Sequence, residues 1–282
     1  MTVIGLVGAG HMGSGLGWAL REGGHDVVTS LAGRSDRTAR LAADAGLRLL
    51  PRPADVAARA DVILVVTPPG AALDAAREIA ALAGPQTAGR IVVDMNAVAP
   101  QTAAAAADLV TAAGFDFVDG SISGPPPTVR PGARLYLSGP RAAEVAALRW
   151  THARPVVVGD RVGAASAVKM STASVYKGLM GLLTQAVRAA AAHDVLEPVL
   201  ADLGEELGTP YEMALAATKA HRYVAEMREI ALSQASVGLT PALFEAFAEV
   251  WSDVAGRRLA GGDPETVSRE ITAHRVAEDL GA

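Results

Sequence analysis

Apolar residues fall in short runs through the first 160 positions and then change rhythm. The runs are TVIGLVG, DVVTSLA, DVILVVTPP, RIVVDMN, FDFVDGSIS, ARLYLSG and RPVVVGD, separated by stretches with helical spacing. Such alternation predicts βαβ units and a doubly wound, mainly parallel sheet. The Ala-rich segment AVAPQTAAAAADLVTAAG reads as an amphipathic crossover helix, and no internal repeat is found. After Gly163 the strand-like runs stop. The rest reads as helices broken at Glu197-Pro198, Thr209-Pro210, Thr240-Pro241 and Gly261-Gly262. Residues 163–193 contain no proline, enough for a helix of roughly 45 Å. The expected class is α/β followed by an all-α domain, with domains at 1–161 and 162–282.

Composition narrows the partners. The chain has 282 residues, 50% hydrophobic and 4% aromatic, with a formal net charge of −5. That balance argues against a broad cationic surface for nucleic acid or an anionic membrane, and leaves a small-molecule substrate as the expected partner. There is no cysteine, and the six histidines are scattered without ligand spacing, so no metal is expected. The N-terminus opens on a strand-like run, no apolar run reaches membrane-spanning length, and a cytoplasmic location is expected.

In IGLVGAGHMGSGLGWALREGGHDVV, Gly8, Gly10 and Gly13 form G-x-G-x-x-G between a strand and a helix, with another strand following. The first glycine permits a tight turn, the second lets a pyrophosphate approach the backbone, and the third allows close packing of helix on strand. The helix N-terminus, with His11 and Met12, supplies N–H donors. The motif in this context favours a Rossmann dinucleotide-binding domain over a glycine-rich turn without a ligand. After the second strand, SLAGRSDRTAR offers no carboxylate at Leu31 to Gly33; Arg34 and Ser35 follow where a 2′-phosphate would sit, with Arg37 and Arg40 close behind. NADP is favoured over NAD, although Asp36 leaves a ribose contact open.

The segment GAASAVKMSTASVYKGLMG carries Lys169 and Lys177, and no Asp or Glu occurs from Arg161 to His193. Lys169, Thr172, Ala173 and Tyr176 share a helix face. Three readings stay open for Lys169: its ammonium reaches solvent, pairs with a distant carboxylate, or meets a substrate in a cleft. Lys177, about 80° around the helix, is a structural cation or a second charge near the site. Other candidates lie at strand ends. Thr67, Pro68 and Pro69 close the third run as a wall beside the cofactor or as a simple strand exit. Asn96 follows the fourth, with an amide for a nicotinamide ribose or a substrate oxygen. Ser123 and Gly124 precede three prolines in a stiff loop, with Arg130 as a candidate helper. His221, Arg222 and Glu226 are weighed as polar contributions from the helical half against an ordinary solvated face.

The order of these motifs resembles the β-hydroxyacid dehydrogenase superfamily, which includes 6-phosphogluconate and 3-hydroxyisobutyrate dehydrogenases and the related imine reductases. The resemblance rests on VGAGHMG, GRS, DGSISGP and GAASAVKM. In that family the Ser-Gly pair of D-x-x-x-S-G-G binds substrate, and a lysine six residues after a glycine acts in proton transfer. Ser123, Gly124 and Lys169 match, with Asp119 and Gly163 keeping the spacing. The stretch KAHRYVAEMREIA resembles a branch with an uncharacterised C-terminal domain. The chain departs from the family pattern at Pro125, where a second glycine is usual, and at Ala173, where an asparagine is usual. The resemblance implies an NADP-dependent oxidoreductase acting on a small carbonyl or hydroxy compound, with Lys169 as general acid and base. Ser123, Gly124, Asn96, Thr172 and Tyr176 would hold the substrate. Gly8, Gly10, His11, Met12, Gly13, Arg34, Ser35, Thr67, Pro68 and Asn96 would hold the cofactor. A homodimer through the helical domain is implied as well. An imine reductase is the alternative within the class, and a non-catalytic NADP(H)-sensing binding protein the alternative outside it.

Overall fold

The computed structural model describes residues 1–204 and 209–281. They divide into two compact units, 1–170 and 171–282. The first unit carries β1 (Val3–Val7), α1 (His11–Glu22), β2 (Asp26–Thr29), α2 (Asp36–Asp44), β3 (Arg48–Leu49), α3 (Pro53–Arg59), β4 (Val62–Val65), α4 (Ala72–Ala80), β5 (Ile91–Asp94), α5 (Pro100–Ala112), β6 (Asp116–Ser123), β7 (Ala133–Ser138), α6 (Ala142–Ala146) and β8 (Ala153–Gly159). One eight-stranded sheet runs in the order β3-β2-β1-β4-β5-β6-β7-β8, parallel throughout except where β6 meets β7. The seven expected runs all form strands. The eighth, β3, has only two residues and both are exposed, too little apolar pattern to stand out in the sequence.

Two cores sandwich the sheet. On one face Leu16 and Leu20 of α1 pack with Leu6, Leu64, Val118 and Leu137. On the other, Ala76 and Ile79 of α4 and Ala106 and Val110 of α5 pack with Ile63, Val92 and Phe117. Burial decides the fate of α1. Its three internal glycines, Gly13, Gly15 and Gly17, each cost about 1 kcal/mol of helix propensity. Full burial of Leu16 and Leu20 returns roughly 1.5–3 kcal/mol apiece. The bare backbone also allows contacts no side chain would permit: a Cβ on Gly17 would stand 2.9 Å from Leu47.

A single helix, α7 (Ala164–Ala192), starts in the first unit and continues into the second, as the proline-free stretch predicts. Beyond it lie α8 (Leu196–Leu203), α9 (Pro210–Ala217), α10 (Ala220–Ala235), α11 (Ala242–Ala255) and α12 (Ala273–Asp279). Among the described residues no strand follows β8. The break expected at Glu197-Pro198 falls earlier, at Asp194, which adopts φ 56°. Pro198 instead occupies the first turn of α8, where its missing N–H is not needed. Thr209-Pro210 does start a helix: the Thr209 hydroxyl accepts from Glu212 N, and Glu212 reaches back to Thr209 N. Within this unit α10 and α11 pack through Tyr223, set edge-on to the fully buried Trp251 at 5.1 Å. No helix of the described residues is long and apolar enough to cross a membrane.

Candidate functional site

The turn after β1 is shaped by what its glycines exclude. Gly8 adopts φ +92°, and a Cβ there would lie 2.2 Å from Val66 O; one on Gly13 would lie 2.0 Å from Gly8 O. Around Gly10, by contrast, nothing stands within 4 Å of the Cβ position. Gly8 and Gly13 therefore close the turn, and Gly10 leaves its outer side open. Gly10 is also the N-cap of α1 and has no side chain to bond the helix end. The first amide bonded back to this turn is Ser14 N, 2.8 Å from Gly10 O. His11 and Met12 lie in that first turn, half-buried, with Met12 against the core. An open helix N-terminus of this kind suits a pyrophosphate.

Beyond β2, Arg34 is exposed. Ser35 is the N-cap of α2, its hydroxyl accepting from Thr38 N at 3.3 Å. The serine thus has a structural duty, and the guanidinium beside it is the group displayed to solvent.

At the ends of β4 and β5, Asn96 is 2% exposed. Its Oδ1 accepts from Thr67 N at 2.6 Å, and its own N–H donates to Asp94 at 2.9 Å. Asn96 Nδ2 and the Thr67 hydroxyl are both buried without a hydrogen-bond partner in the chain. A buried polar atom left unmatched costs about 1–3 kcal/mol. Both atoms lie just beyond the ends of the paired strands β4 and β5, where they are open to bonding by a polar ligand. Pro68, exposed, turns the chain into a short 3₁₀ segment. Beneath Asn96, burial pushes the Asp94 carboxyl up to about 7, with the neighbouring Asp119 adding to the rise and the Asn96 N–H opposing it.

β6 presents Asp119, Ser121 and Ser123 on one face by strand alternation, while Val118 and Ile122 enter the opposite core. Asp119 is buried and accepts from Ser166 Oγ (2.6 Å), Ser138 Oγ (2.9 Å), Ser166 N (3.0 Å) and Gly163 N (3.0 Å). Burial drives its carboxyl above the ordinary range, and these donors pull against that rise. Ser121 Oγ donates to Ala165 O at 2.8 Å. The Lys169 ammonium, half-buried, donates to Ile122 O at 2.9 Å. Lysine and the adjacent Ser123-Gly124 pair are thereby brought together, and of the three readings of Lys169, simple projection into solvent is removed.

Thr172 and Tyr176 belong to the second unit, the first half-buried and the second 71% exposed. Ala173 is buried. Lys177 pairs with Glu226 and lies 4.6 Å from the Tyr223 ring centre, which makes it a structural cation and accounts for Glu226 as its partner. His221 and Arg222 are exposed, as is Arg130 in the proline loop. Sequence reasoning passed over Asp94, Ser121, Ser138 and Ser166. For Ser121 the signal available was the polar alternation of D-G-S-I-S in a strand flanked on both sides, where apolar residues are the rule.

Residues 3–154 match the family model described as the NAD binding domain of 6-phosphogluconate dehydrogenase, and residues 190–254 match a domain of unknown function, DUF1932. An uncharacterized 28.5 kDa protein of Methanothermus fervidus is 26% identical over 74% of this chain and 78% of its own length. Among solved structures, a conserved protein of unknown function, described as structurally similar to 3-hydroxyacid dehydrogenases, is 29% identical with a TM-score of 0.65, over 93% of this chain and all of the other. The 3-hydroxyisobutyrate dehydrogenase of Mycobacterium tuberculosis, solved with L-serine, shares the fold at 17% identity and a TM-score of 0.66 over the full length of both. Imine reductases share it with TM-scores of 0.53 and 0.56 at 19% and 21% identity.

Proposed function

Since the chain belongs to the family defined by the NAD binding domain of 6-phosphogluconate dehydrogenase, we propose that it is an NADP-dependent oxidoreductase. Its substrate in this reading is a small β-hydroxyacid or the matching carbonyl compound, and Lys169 is its general acid and base. The observation that carries the reading is the Lys169 ammonium bonded to Ile122 O, next to Ser123 and Gly124. When bound, the nicotinamide supplies or accepts the hydride. The chain does the rest. The open turn at Gly10 and the N-terminus of α1 take the pyrophosphate, and Arg34 takes the 2′-phosphate. Asn96 Nδ2 and the Thr67 hydroxyl meet polar atoms of the nicotinamide half or the substrate. Ser123 and Gly124 hold the substrate's acidic group. In the reducing direction Lys169 gives its proton to the developing alkoxide; in oxidation it removes the hydroxyl proton. A homodimer through the helical unit completes the proposal.

The test follows absorbance at 340 nm with NADP⁺ plus L-serine or 3-hydroxyisobutyrate, and with NADPH plus 3-oxo acids or cyclic imines. Lys169→Ala is expected to lower kcat by about 10²–10⁴-fold, the usual contribution of a positioned acid or base, with NADPH affinity intact. Undiminished turnover in that variant overturns the assignment. Tight NADPH binding with no turnover of any of these compounds favours a cofactor-sensing protein instead.

A further inference from the structure

Gly163 stands immediately before α7 (Ala164–Ala192) and has no side chain to cap it. Four N–H groups at a helix start need acceptors from outside the regular pattern. Here Ala164 N reaches Arg161 O at 3.3 Å, and the remaining three turn to the sheet. Gly163 N and Ser166 N donate to Asp119 of β6, and Ala165 N donates to Ser138 Oγ of β7, which in turn donates to Asp119. The Ser166 hydroxyl adds a second tie to the same carboxyl. Every amide of the first turn is therefore satisfied, and all but one through Asp119 or the serine bonded to it. Four donors face this carboxyl, an arrangement suited to a carboxylate.

Lys169 follows Ser166 by three residues and shares its helix face. From Ser166 to Lys169 the helix rises about 4.5 Å. From Asp119 to Ile122 the strand advances about 10 Å. The long lysine stem spans the difference and reaches Ile122 O. Where Asp119 holds the helix start thus determines where the ammonium arrives. The chain contains only three lysines, Lys169, Lys177 and Lys219, against 22 arginines among its 25 basic residues.

We propose that Asp119 is the positioning residue of Lys169: by capping α7 from β6, with Ser138 and Ser166 as its auxiliaries, it fixes the ammonium against the Ile122 carbonyl beside Ser123 and Gly124. The consequence for turnover rests on the proton-transfer role proposed above for Lys169; the positioning itself does not.

Two measurements separate these. With ζ-¹⁵N-lysine incorporated, the full chain gives three side-chain nitrogen signals, assigned with a Lys169→Met variant. Asp119→Ala should shift the Lys169 signal and abolish its protection from solvent exchange, while Lys177 and Lys219 stay in place. Asp119→Asn is isosteric: its carbonyl oxygen replaces Oδ2 and its amide donates to Ser166 Oγ, so it should restore the Lys169 signal. An unmoved Lys169 signal in folded Asp119→Ala overturns the proposal, whatever Lys169 does in catalysis. Should Asp119→Ala fail to fold, Ser166→Ala, which removes only the 2.6 Å bond, must produce a smaller shift of the same signal, and its absence is equally fatal. In the turnover assay, Asp119→Ala should lose about ten- to a hundredfold in kcat, the scale of ångström-size misplacement, with NADPH affinity unchanged and kcat recovered in Asp119→Asn. A normal kcat with a displaced Lys169 signal leaves the positioning standing and removes the lysine from the chemistry.

Discussion

Arg34 stands exposed beside Ser35, whose hydroxyl already serves α2. If the 2′-phosphate is what the guanidinium meets, removing it takes away a charge-assisted contact worth about 1.5–3 kcal/mol. Arg34→Ala should then weaken NADPH binding by roughly ten- to a hundredfold. NADH affinity should stay unchanged, because NADH lacks the phosphate. Fluorescence titration of the two cofactors against both proteins checks this, and a parallel loss for NADH would reassign Arg34 to a general electrostatic role. The Gly8, Gly10 and Gly13 pattern was legible in the sequence because each glycine answers a local demand at short range. The duties of Asn96 and Asp119 were less so. Asp119 bonds groups 44 and 47 residues away, a distance over which no periodicity survives, and only the spacing shared with a known family pointed to it.

Along α7, Val175, Leu179 and Leu182 fall at i, i+4 and i+7, one stripe of a helix. Val175 is 65% exposed and Leu182 60%. Burying each such side chain would contribute about 1.5–3 kcal/mol, which is the support for a second copy of the chain covering this stripe. Leu182→Glu should therefore halve the mass measured by light scattering at micromolar concentration while leaving the circular dichroism spectrum intact. A wild-type monomer at that concentration removes the dimer. The helix itself was readable from its lack of proline, and the strands from their alternating runs. The two-residue β3 and the break at Asp194 were not, since each depends on tertiary context: β3 on the neighbouring β2, and the break on a residue held at positive φ with no glycine to announce it. The opposite case is Lys177, whose lack of a nearby acid was plain in the sequence while its partner Glu226 lies on another helix.

Stability of the whole molecule depends on two carboxyls that the sheet places side by side, since Asp94 of β5 pairs in register with Asp119 of β6. Asp94 borders a small apolar cavity lined by Val65, Ile79, Val92, Val110 and Phe117. Burial there, reinforced by Asp119 and opposed by the Asn96 N–H, raises its pKa from 3.8 to about 7. Below the unfolded value both states are protonated and nothing is lost. As pH rises from about 4 to about 7 the unfolded chain ionises while the folded one keeps its proton, so the native state loses stability over that window, and the loss is complete above 7. Each tenfold difference in proton affinity between the folded and unfolded chain corresponds to about 1.4 kcal/mol, so the total is on the order of a few kcal/mol. The raised pKa of Asp119 acts in the same direction. Asp94→Asn keeps an oxygen for the Asn96 N–H and cannot ionise, so the variant should lose much less stability between pH 5 and pH 8 than the wild type does in urea unfolding. Identical pH dependence in the two proteins would mean that Asp94 is already ionised in the native state at pH 5, and that the cost of its burial is met by partners other than its own proton.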